Sequence, residues 1–224
     1  VFKKELRITD DGSHTFHIPE WKEHYHSKHG AIQEALHVFI KEGLQFRLQN
    51  NFNSIDLLEM GFGTGLNCLL SYLEAESRKC TVNYTSVEAY PLTLEDVKLL
   101  NFYKELEIPQ SEFLKFHQAP WNASIKVSEN FTLTKKQTLF ENVAFYEAFD
   151  LIYYDAFGIR VQPELWTATM MEKMYQSLKP GGLFVTYASN GETRRNLQHV
   201  NFEVEKIKGP PGKKEMIRAF KPSS

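Results

Sequence analysis

Cysteine is scarce in this chain: 224 residues contain two, Cys68 and Cys80, with no CxxC pair. That spacing speaks against a disulfide framework and a thiolate zinc site, and leaves both thiols as reduced structural residues. Long apolar runs are missing too. None approaches the roughly 18–20 residues that span a bilayer, and the start VFKKELRITDDG has no apolar core of a secretory signal, so a cytoplasmic protein is expected. Repeats, low-complexity segments and linkers are absent, which leaves one domain of generous size. A strong charge of either sign is also lacking: the formal net charge is −2, which does not advertise a nucleic-acid binder. Hydrophobic residues at 42% and charged ones at 24% then describe an ordinary folded protein with aromatics enough for a core.

What is present is a regular alternation of strand and helix signals. Residues 5–18 alternate apolar and polar around Asp11-Gly12, which predicts a small hairpin. Ile32, Ala35, Leu36, Phe39 and Ile40 keep helical spacing from Gly30 to an end near Gly43. Then follow strand SIDLLEM, a helix over 65–78, strand VNYTSVE, a helix from Pro91 to about Tyr103 and a short strand near Leu114 to His117. NFTLTKKQTLF reads as a polar insertion with strand-like alternation. It leads to strand FDLIYYD, a helix from Pro163 to Leu178, strand GGLFVTYAS, a helix over 191–199 and two closing strands around Gly209-Pro210-Pro211-Gly212.

Strands alternating with helices call for a mostly parallel α/β sheet covered on both faces. The closing hairpin puts an antiparallel strand at its end, the arrangement of class I methyltransferases with their Rossmann-like sheet. Residues 1–29 are expected as an N-terminal hairpin and loop extension, and residues 30–224 as the methyltransferase domain.

DLLEMGFGTGLN, residues 56–67, is the stretch that speaks of a ligand. In an open parallel sheet the binding crevice lies beyond the strand C-termini, where strand order reverses. A dinucleotide turn reads G-x-G-x-x-G; Gly61, Gly63 and Gly65 read G-x-G-x-G, with the third glycine one residue early. Glu59 is ill placed beside a pyrophosphate but suits a cationic amino acid moiety, and S-adenosylmethionine carries a sulfonium and an ammonium. Asn67 can cap the helix or bond the ligand, and Glu88, closing the next strand, can accept both ribose hydroxyls. The expected cofactor is therefore S-adenosylmethionine, held by Glu59, Gly61, Gly63, Gly65, Asn67 and Glu88. Asp155, ending FDLIYYD beside Phe157, suits chemistry on an amine, because an alkylammonium must lose a proton before it can attack. It equally suits a turn cap or a partner for the methionine ammonium.

From about Tyr25 to Phe220 the chain resembles the methyltransferase domain of the bifunctional tRNA 5-methylaminomethyl-2-thiouridine biosynthesis family. The likeness rests on Tyr25, Ser27, Glu34, Val38 and Phe39, on EMGFGTGLN, on YDAF followed by PELWT, on PGGLFVTYASNGETRRNL and on KGPPGKKEM. The resemblance implies S-adenosylmethionine-dependent N-methylation of an aminomethyl group on the wobble uridine in the tRNA anticodon region, with Asp155 as the catalytic carboxylate. Two departures stand out. A chain of 224 residues has no room for the family's flavin-dependent oxidoreductase domain. Unless the sequence is a fragment, its substrate would arrive as the free aminomethyl nucleoside, made directly or by a separate oxidoreductase. And where an acidic residue near the adenine is expected, 126–145 offers TKKQTLFENVAF, which leaves the adenine contacts unassigned.

Residues 191–224 carry eight Lys and Arg against four Asp and Glu. This is either a solvated face or a grip on tRNA phosphates by Arg194, Arg195, Lys208, Lys213 and Lys214. Strand alternation forbids Lys213 and Lys214 from pointing the same way. Tyr25, Ser27 and Phe157 are further substrate candidates; Trp166 is a candidate stacking partner for an extruded uracil or a core residue. His24, His26 and His29 have the H-x-H spacing of metal sites, but Lys28 stands where an Asp would be needed, so no metal is expected. The competing readings are a polyamine-synthase-like or other small-molecule transferase, which would lack the Arg-Arg and Lys-Lys groups, a non-catalytic RNA-binding module, and a nicotinamide dehydrogenase.

Overall fold

The computed structural model describes residues 3–49 and 53–223; Val1, Phe2 and Ser224, which the expected domain boundaries include, lie outside it. The predicted hairpin is strands β1 (Glu5–Ile8) and β2 (His14–Ile18), paired antiparallel. Its loop spans five residues, and Gly12 alone supplies a positive φ of 84°. A two-residue strand, β3 (Glu23–His24), extends the hairpin to a three-stranded sheet. Phe16 from β2 is buried in the main core, so this extension shares the core of the chain that follows.

The next helix runs over 31–48, with Leu36–Gln45 wound in the wider π-type bonding. It does not end at Gly43 as its sequence suggested. A Cβ there would stand 3.0 Å from Tyr153 Cε1, so the glycine lets the helix press on the sheet and does not terminate it.

The main sheet has eight strands: β4 (Ser54–Met60), β5 (Thr81–Glu88), β6 (Ala123–Lys126), β7 (Phe131–Gln137), β8 (Phe149–Tyr154), β9 (Leu178–Thr186), β10 (Glu203–Lys208) and β11 (Glu215–Phe220). Their spatial order is β10-β11-β9-β8-β4-β5-β7-β6. β7, β5, β4, β8 and β9 are mutually parallel; β11 runs antiparallel between β9 and β10, and β6 antiparallel to β7. This is the class I methyltransferase sheet, with an antiparallel strand inserted near one edge and a short extra hairpin strand at the other. Strand order reverses at β4, flanked by β5 and β8, so the crevice opens above the glycine turn.

Four expectations fail here. Leu114 to His117 is not a strand but part of the helix Gln110–Gln118, whose Phe113 and Phe116 share the buried side at i, i+3. The third parallel strand is β7, from the segment read as a polar insertion. Its alternation is genuine, but Lys135 takes an interior place, 1% exposed, with Nζ donating to the His117 carbonyl at 3.0 Å and lying 4.4 Å from the centre of the Trp121 ring. The helix expected from Pro91 to Tyr103 is two short ones, Leu94–Lys98 and Phe102–Glu105. Asn101 between them accepts from the His14 amide at 2.7 Å and donates to the Gly12 carbonyl at 3.0 Å, tying the N-terminal hairpin to the domain. Likewise Pro163–Trp166 is a 3-10 turn, and the helix Ala168–Ser177 begins after Thr167, whose hydroxyl caps the Met170 amide. Helices Leu66–Arg78 and Gly191–His199 stand as predicted, and the two cysteines are free and buried.

Two apolar layers cover the sheet. One carries the helix over 31–48 and Leu66–Arg78; the other packs Met170, Met171, Met174 and Leu197 against Ile152, Phe184 and Ile217. Among the described residues no helix is long and apolar enough to cross a membrane.

Candidate active site

The C-terminal ends of the parallel strands form the floor of a cavity of about 1100 Å³, with segment 23–28 as part of its wall. Drug-sized ligands occupy roughly 300–1,000 Å³, so the space admits a nucleoside-sized donor and part of a second molecule.

The glycine turn shapes the floor. Gly61 has φ 103°, and a Cβ there would lie 2.6 Å from the carbonyl oxygen of Asp155. Only glycine lets the ends of β4 and β8 come this close. At Gly63 the nearest neighbour of a side chain would be the Tyr25 ring, 3.4 Å away, so the missing side chain leaves room between turn and wall. Gly65 instead faces His117 and does not line the cavity.

Two imidazoles clamp this turn. His26 bonds the Thr64 hydroxyl at 3.2 Å through Nε2 and the Thr15 hydroxyl at 3.1 Å through Nδ1, and His117 Nε2 donates to the Thr64 carbonyl at 3.0 Å. Burial pushes each ring down to about 4, so both are neutral at physiological pH. His26 thus serves structure, and among the described residues no group of histidines, cysteines and carboxylates could hold a metal ion.

The Glu88 carboxylate accepts from the amides of Gly63 at 3.1 Å and Tyr90 at 2.9 Å, one on each oxygen. A carboxylate offers about four acceptor directions, so two remain, the number a ribose diol needs. Beyond it, Gln137, Leu139, Phe140 and Glu141 reach the cavity from β7 and the turn that follows. Glu141 is thus an acidic residue of 126–145 that lines the crevice. It was overlooked because β7 was taken for an insertion, which hid that the loop after it belongs to the crevice.

Asp155 projects into the cavity from the end of β8 and accepts from Asn67 Nδ2 at 2.8 Å. Burial, reinforced by the nearby Glu34 carboxylate, pushes it up to about 7; the Asn67 hydrogen bond and the Lys213 charge pull the other way. Asn67 spends its amide on Asp155 and does not cap its own helix. Phe157 meets Tyr25 edge to face at 5.0 Å and Trp21 at 5.2 Å, an aromatic corner to which Trp21, unmarked by any sequence motif, contributes.

Other expected residues are placed differently. Glu59 is 0% exposed and does not line the cavity. Burial first, and Asp155 after it, raise its carboxyl above the usual range against hydrogen bonds that favour its charge, and it stands behind the cavity floor, away from where a donor would be met. Trp166 is a core residue, 1% exposed, whose indole donates to the Phe157 carbonyl at 2.8 Å; it supports the aromatic corner from behind and cannot stack on a base. Lys213 points inward, pairing with Glu34 at 2.7 Å with its Nζ 4.1 Å from the centre of the Tyr187 ring. Glu34 in turn accepts from the Ser27 amide at 2.8 Å. Lys214, Lys208, Arg194 and Arg195 are exposed outside the cavity and make no ion pair among the described residues.

A family model described as S-adenosyl-L-methionine-dependent methyltransferase matches residues 102–222, more than half of the chain. The chain is similar to the "tRNA 5-methylaminomethyl-2-thiouridine biosynthesis bifunctional protein MnmC" of Aromatoleum aromaticum, 28% identical over 227 residues, covering 95% of this chain and 34% of that protein. The protein of the same name from Leptospira interrogans is 29% identical over 205 residues, covering 86% and 32%. The chain thus spans about a third of the length of these curated relatives. Among solved structures it superposes on MNMC2 from Aquifex aeolicus with a TM-score of 0.79 at 23% identity, over 100% of this chain and 71% of that one. Spermidine synthase from Thermotoga maritima follows at 0.54 and 14%, over 99% and 72%. These two likenesses are of fold.

Proposed function

Since the chain belongs to the family of S-adenosyl-L-methionine-dependent methyltransferases, we propose that it methylates the exocyclic nitrogen of a 5-aminomethyl group on the wobble uridine of tRNA. The observation that carries this reading is Asp155: a carboxylate at the switch point of the sheet, tuned to about 7, in a cavity large enough for two ligands. Its relatives' names supply the product, a tRNA 5-methylaminomethyl-2-thiouridine, whose aminomethyl precursor is the acceptor.

The residues fit the donor. Gly61 and Gly63 keep the floor open to close approach, and Glu88 keeps two lone-pair directions for the ribose hydroxyls. Leu139, Phe140 and Glu141 form the wall for the adenine. When bound, S-adenosylmethionine supplies a methyl group made electrophilic by its sulfonium. Asp155 does the rest of the chemistry on the acceptor side: it draws the aminomethyl nitrogen into line and takes its proton, leaving the lone pair free to attack. A carboxyl near 7 suits that exchange, since general bases work best with a pKa close to the operating pH. Tyr25 and Phe157 flank the uracil, and Ser27 with the Glu34–Lys213 pair closes the wall beside it. Arg194, Arg195, Lys208 and Lys214 meet the anticodon phosphates. In this scheme residues 1–29 roof the site over the catalytic body formed by 30–224, the protein works in the cytoplasm, and a separate oxidoreductase can supply the aminomethyl substrate.

The test is incubation with methyl-labelled S-adenosylmethionine and tRNA from cells lacking the modification, followed by nucleoside analysis. Label in 5-methylaminomethyluridine supports the proposal. Label only in small free amines supports a polyamine-type transferase, and tRNA retention without transfer supports a binding module.

A further inference from the structure

Three distant parts of the chain meet at the Glu34 carboxylate, which is 8% exposed. Its Oε2 accepts from the Ser27 amide at 2.8 Å, and its Oε1 from Lys213 Nζ at 2.7 Å. Lys213 is brought there by the turn between β10 and β11. Its amide donates to the Pro210 carbonyl at 2.9 Å, and the Gly209 amide to the Lys214 carbonyl at 3.2 Å. A Cβ at Gly209 would lie 2.6 Å from the Lys213 carbonyl oxygen, and Gly212 has φ 83°, so both glycines are needed for a turn this tight. The Lys213 side chain then crosses the Tyr187 ring, with Nζ 4.1 Å from its centre, while the Tyr187 hydroxyl donates to the Ala156 carbonyl at 2.7 Å.

An ammonium has three N–H donors and no acceptor. Glu34 takes one, the Tyr187 ring meets the cation with its face, and among the described residues Lys213 makes no other hydrogen bond. A donor is left over on a side chain that lines the cavity. Of the three lysines that line it, Lys4, Lys28 and Lys213, Lys213 is the one whose charge acts on Asp155. The spare donor and the Asp155 carboxylate therefore serve the same part of the cavity.

The aminomethyl group hangs from C5 of the pyrimidine, and C4 is the next ring atom. In uracil C4 carries a carbonyl oxygen, an acceptor; in cytosine it carries an amino group, a donor. A base whose aminomethyl nitrogen sits on Asp155 thus turns its 4-substituent to a neighbour of Asp155. We infer that Lys213, fixed by Glu34, is a specificity-determining residue that donates to the 4-carbonyl oxygen of the acceptor and so restricts transfer to uracil. This rests on the reading of Asp155 as the partner of the aminomethyl nitrogen. A cytosine would set its amino group against a cation that accepts nothing, and a site built for a hydrogen bond rejects the analogue that cannot make it.

The test uses anticodon stem-loop RNAs that carry, at the wobble position, 5-aminomethyluridine, 5-aminomethylcytidine, or the 4-deoxy analogue in which a C–H replaces the carbonyl. Methyl transfer is compared as kcat/KM on the high-pH plateau of each protein, so that a shifted acid limb does not enter. Wild type should prefer the uridine RNA over either analogue by about 10–100-fold, the range for a hydrogen bond from a charged donor. Lys213→Met, which keeps the length of the side chain, should lose that factor on the uridine RNA and treat the uridine and 4-deoxy RNAs alike within about threefold. A merely structural role would lower transfer to all three RNAs together. The Ser27 hydroxyl is the other donor beside Glu34, and Ser27→Ala should keep the wild-type preference whatever its rate. If Lys213→Met does not fold, the wild-type comparison of uridine with its 4-deoxy analogue decides alone. The inference is overturned if wild type methylates the 4-deoxy or cytidine RNA as well as the uridine RNA, if Lys213→Met retains the preference, or if Ser27→Ala removes it. Failure of the tRNA assignment would look different: wild type would bind S-adenosylmethionine by calorimetry and transfer nothing to any of the three RNAs.

Discussion

Asp155 is placed where chemistry and stability conflict. Its carboxyl titrates near 7 in the fold and near 3.9 in the unfolded chain. Between those values the unfolded state has released a proton that the native state still holds, so stability falls as pH rises from about 4 to 7. Asp155→Asn removes that cost. The variant should gain about 1–3 kcal/mol at pH 8 and almost nothing at pH 4, a rise of about 2–4 °C in melting temperature per kcal/mol. Its methyl transfer should fall by about a hundredfold or more, with donor affinity nearly unchanged by calorimetry. Gly61 is the structural counterpart. A Cβ at φ 103° would meet the Asp155 carbonyl, so Gly61→Ala should lose about 2 kcal/mol or more in urea unfolding, and its activity with it. The need for glycine at 61 and the placing of carboxylates 88 and 155 at the crevice were legible in the sequence, because each lies at a strand end beside the turn. The full burial of Glu59 was not. Burial and the donor count around a side chain depend on neighbours in β5 and β8 that a linear motif does not display.

The glycine turn is held from outside, by His26 of the N-terminal segment and His117 of the helix Gln110–Gln118. Each imidazole titrates near 4 in the fold and near 6.5 when unfolded, so the unfolded chain takes up protons first as pH drops. Stability is therefore lost between about pH 6.5 and 4, by up to roughly 3 kcal/mol per ring, opposite in sign to the Asp155 effect. His117→Gln should remove about half of the histidine contribution, read from urea midpoints at pH 7.5 and pH 5. None of these contacts follows from HYHSKH or from the FLKFH stretch taken alone. Helix and strand order were otherwise well marked by periodicity, and two of the failures share one cause. In β7 an interior lysine with an aromatic-covered stem made a central strand look polar, and the third parallel strand was then sought in a helix whose Phe113 and Phe116 face inward.

Across the molecule, the positive charge of the last segment divides into two populations. Lys206, Arg218, Lys221 and Lys213 are committed to carboxylates, with Lys213 inside the cavity wall; Arg194, Arg195, Lys208 and Lys214 face solvent. If the exposed set meets phosphate, Arg194→Ala with Arg195→Ala should flatten the salt dependence of tRNA binding by about 1–2 in log–log slope. Lys213→Ala should leave that slope alone and move the acid limb of the rate upward, since its charge helps Asp155 to ionise. Composition announced the basic excess but not this division, because the ion pairs reach back to Glu34, Glu42 and Glu147, which lie far away in sequence. The most direct measurement is single-turnover transfer from methyl-labelled S-adenosylmethionine to aminomethyl-bearing tRNA as a function of pH, with wild type and Asp155→Asn side by side. Label on the exocyclic nitrogen, at a wild-type rate that climbs through about pH 7 to a plateau and is missing in the variant, is the expected result. Label on a ring carbon or ribose, or a variant as fast as wild type at every pH, would contradict it.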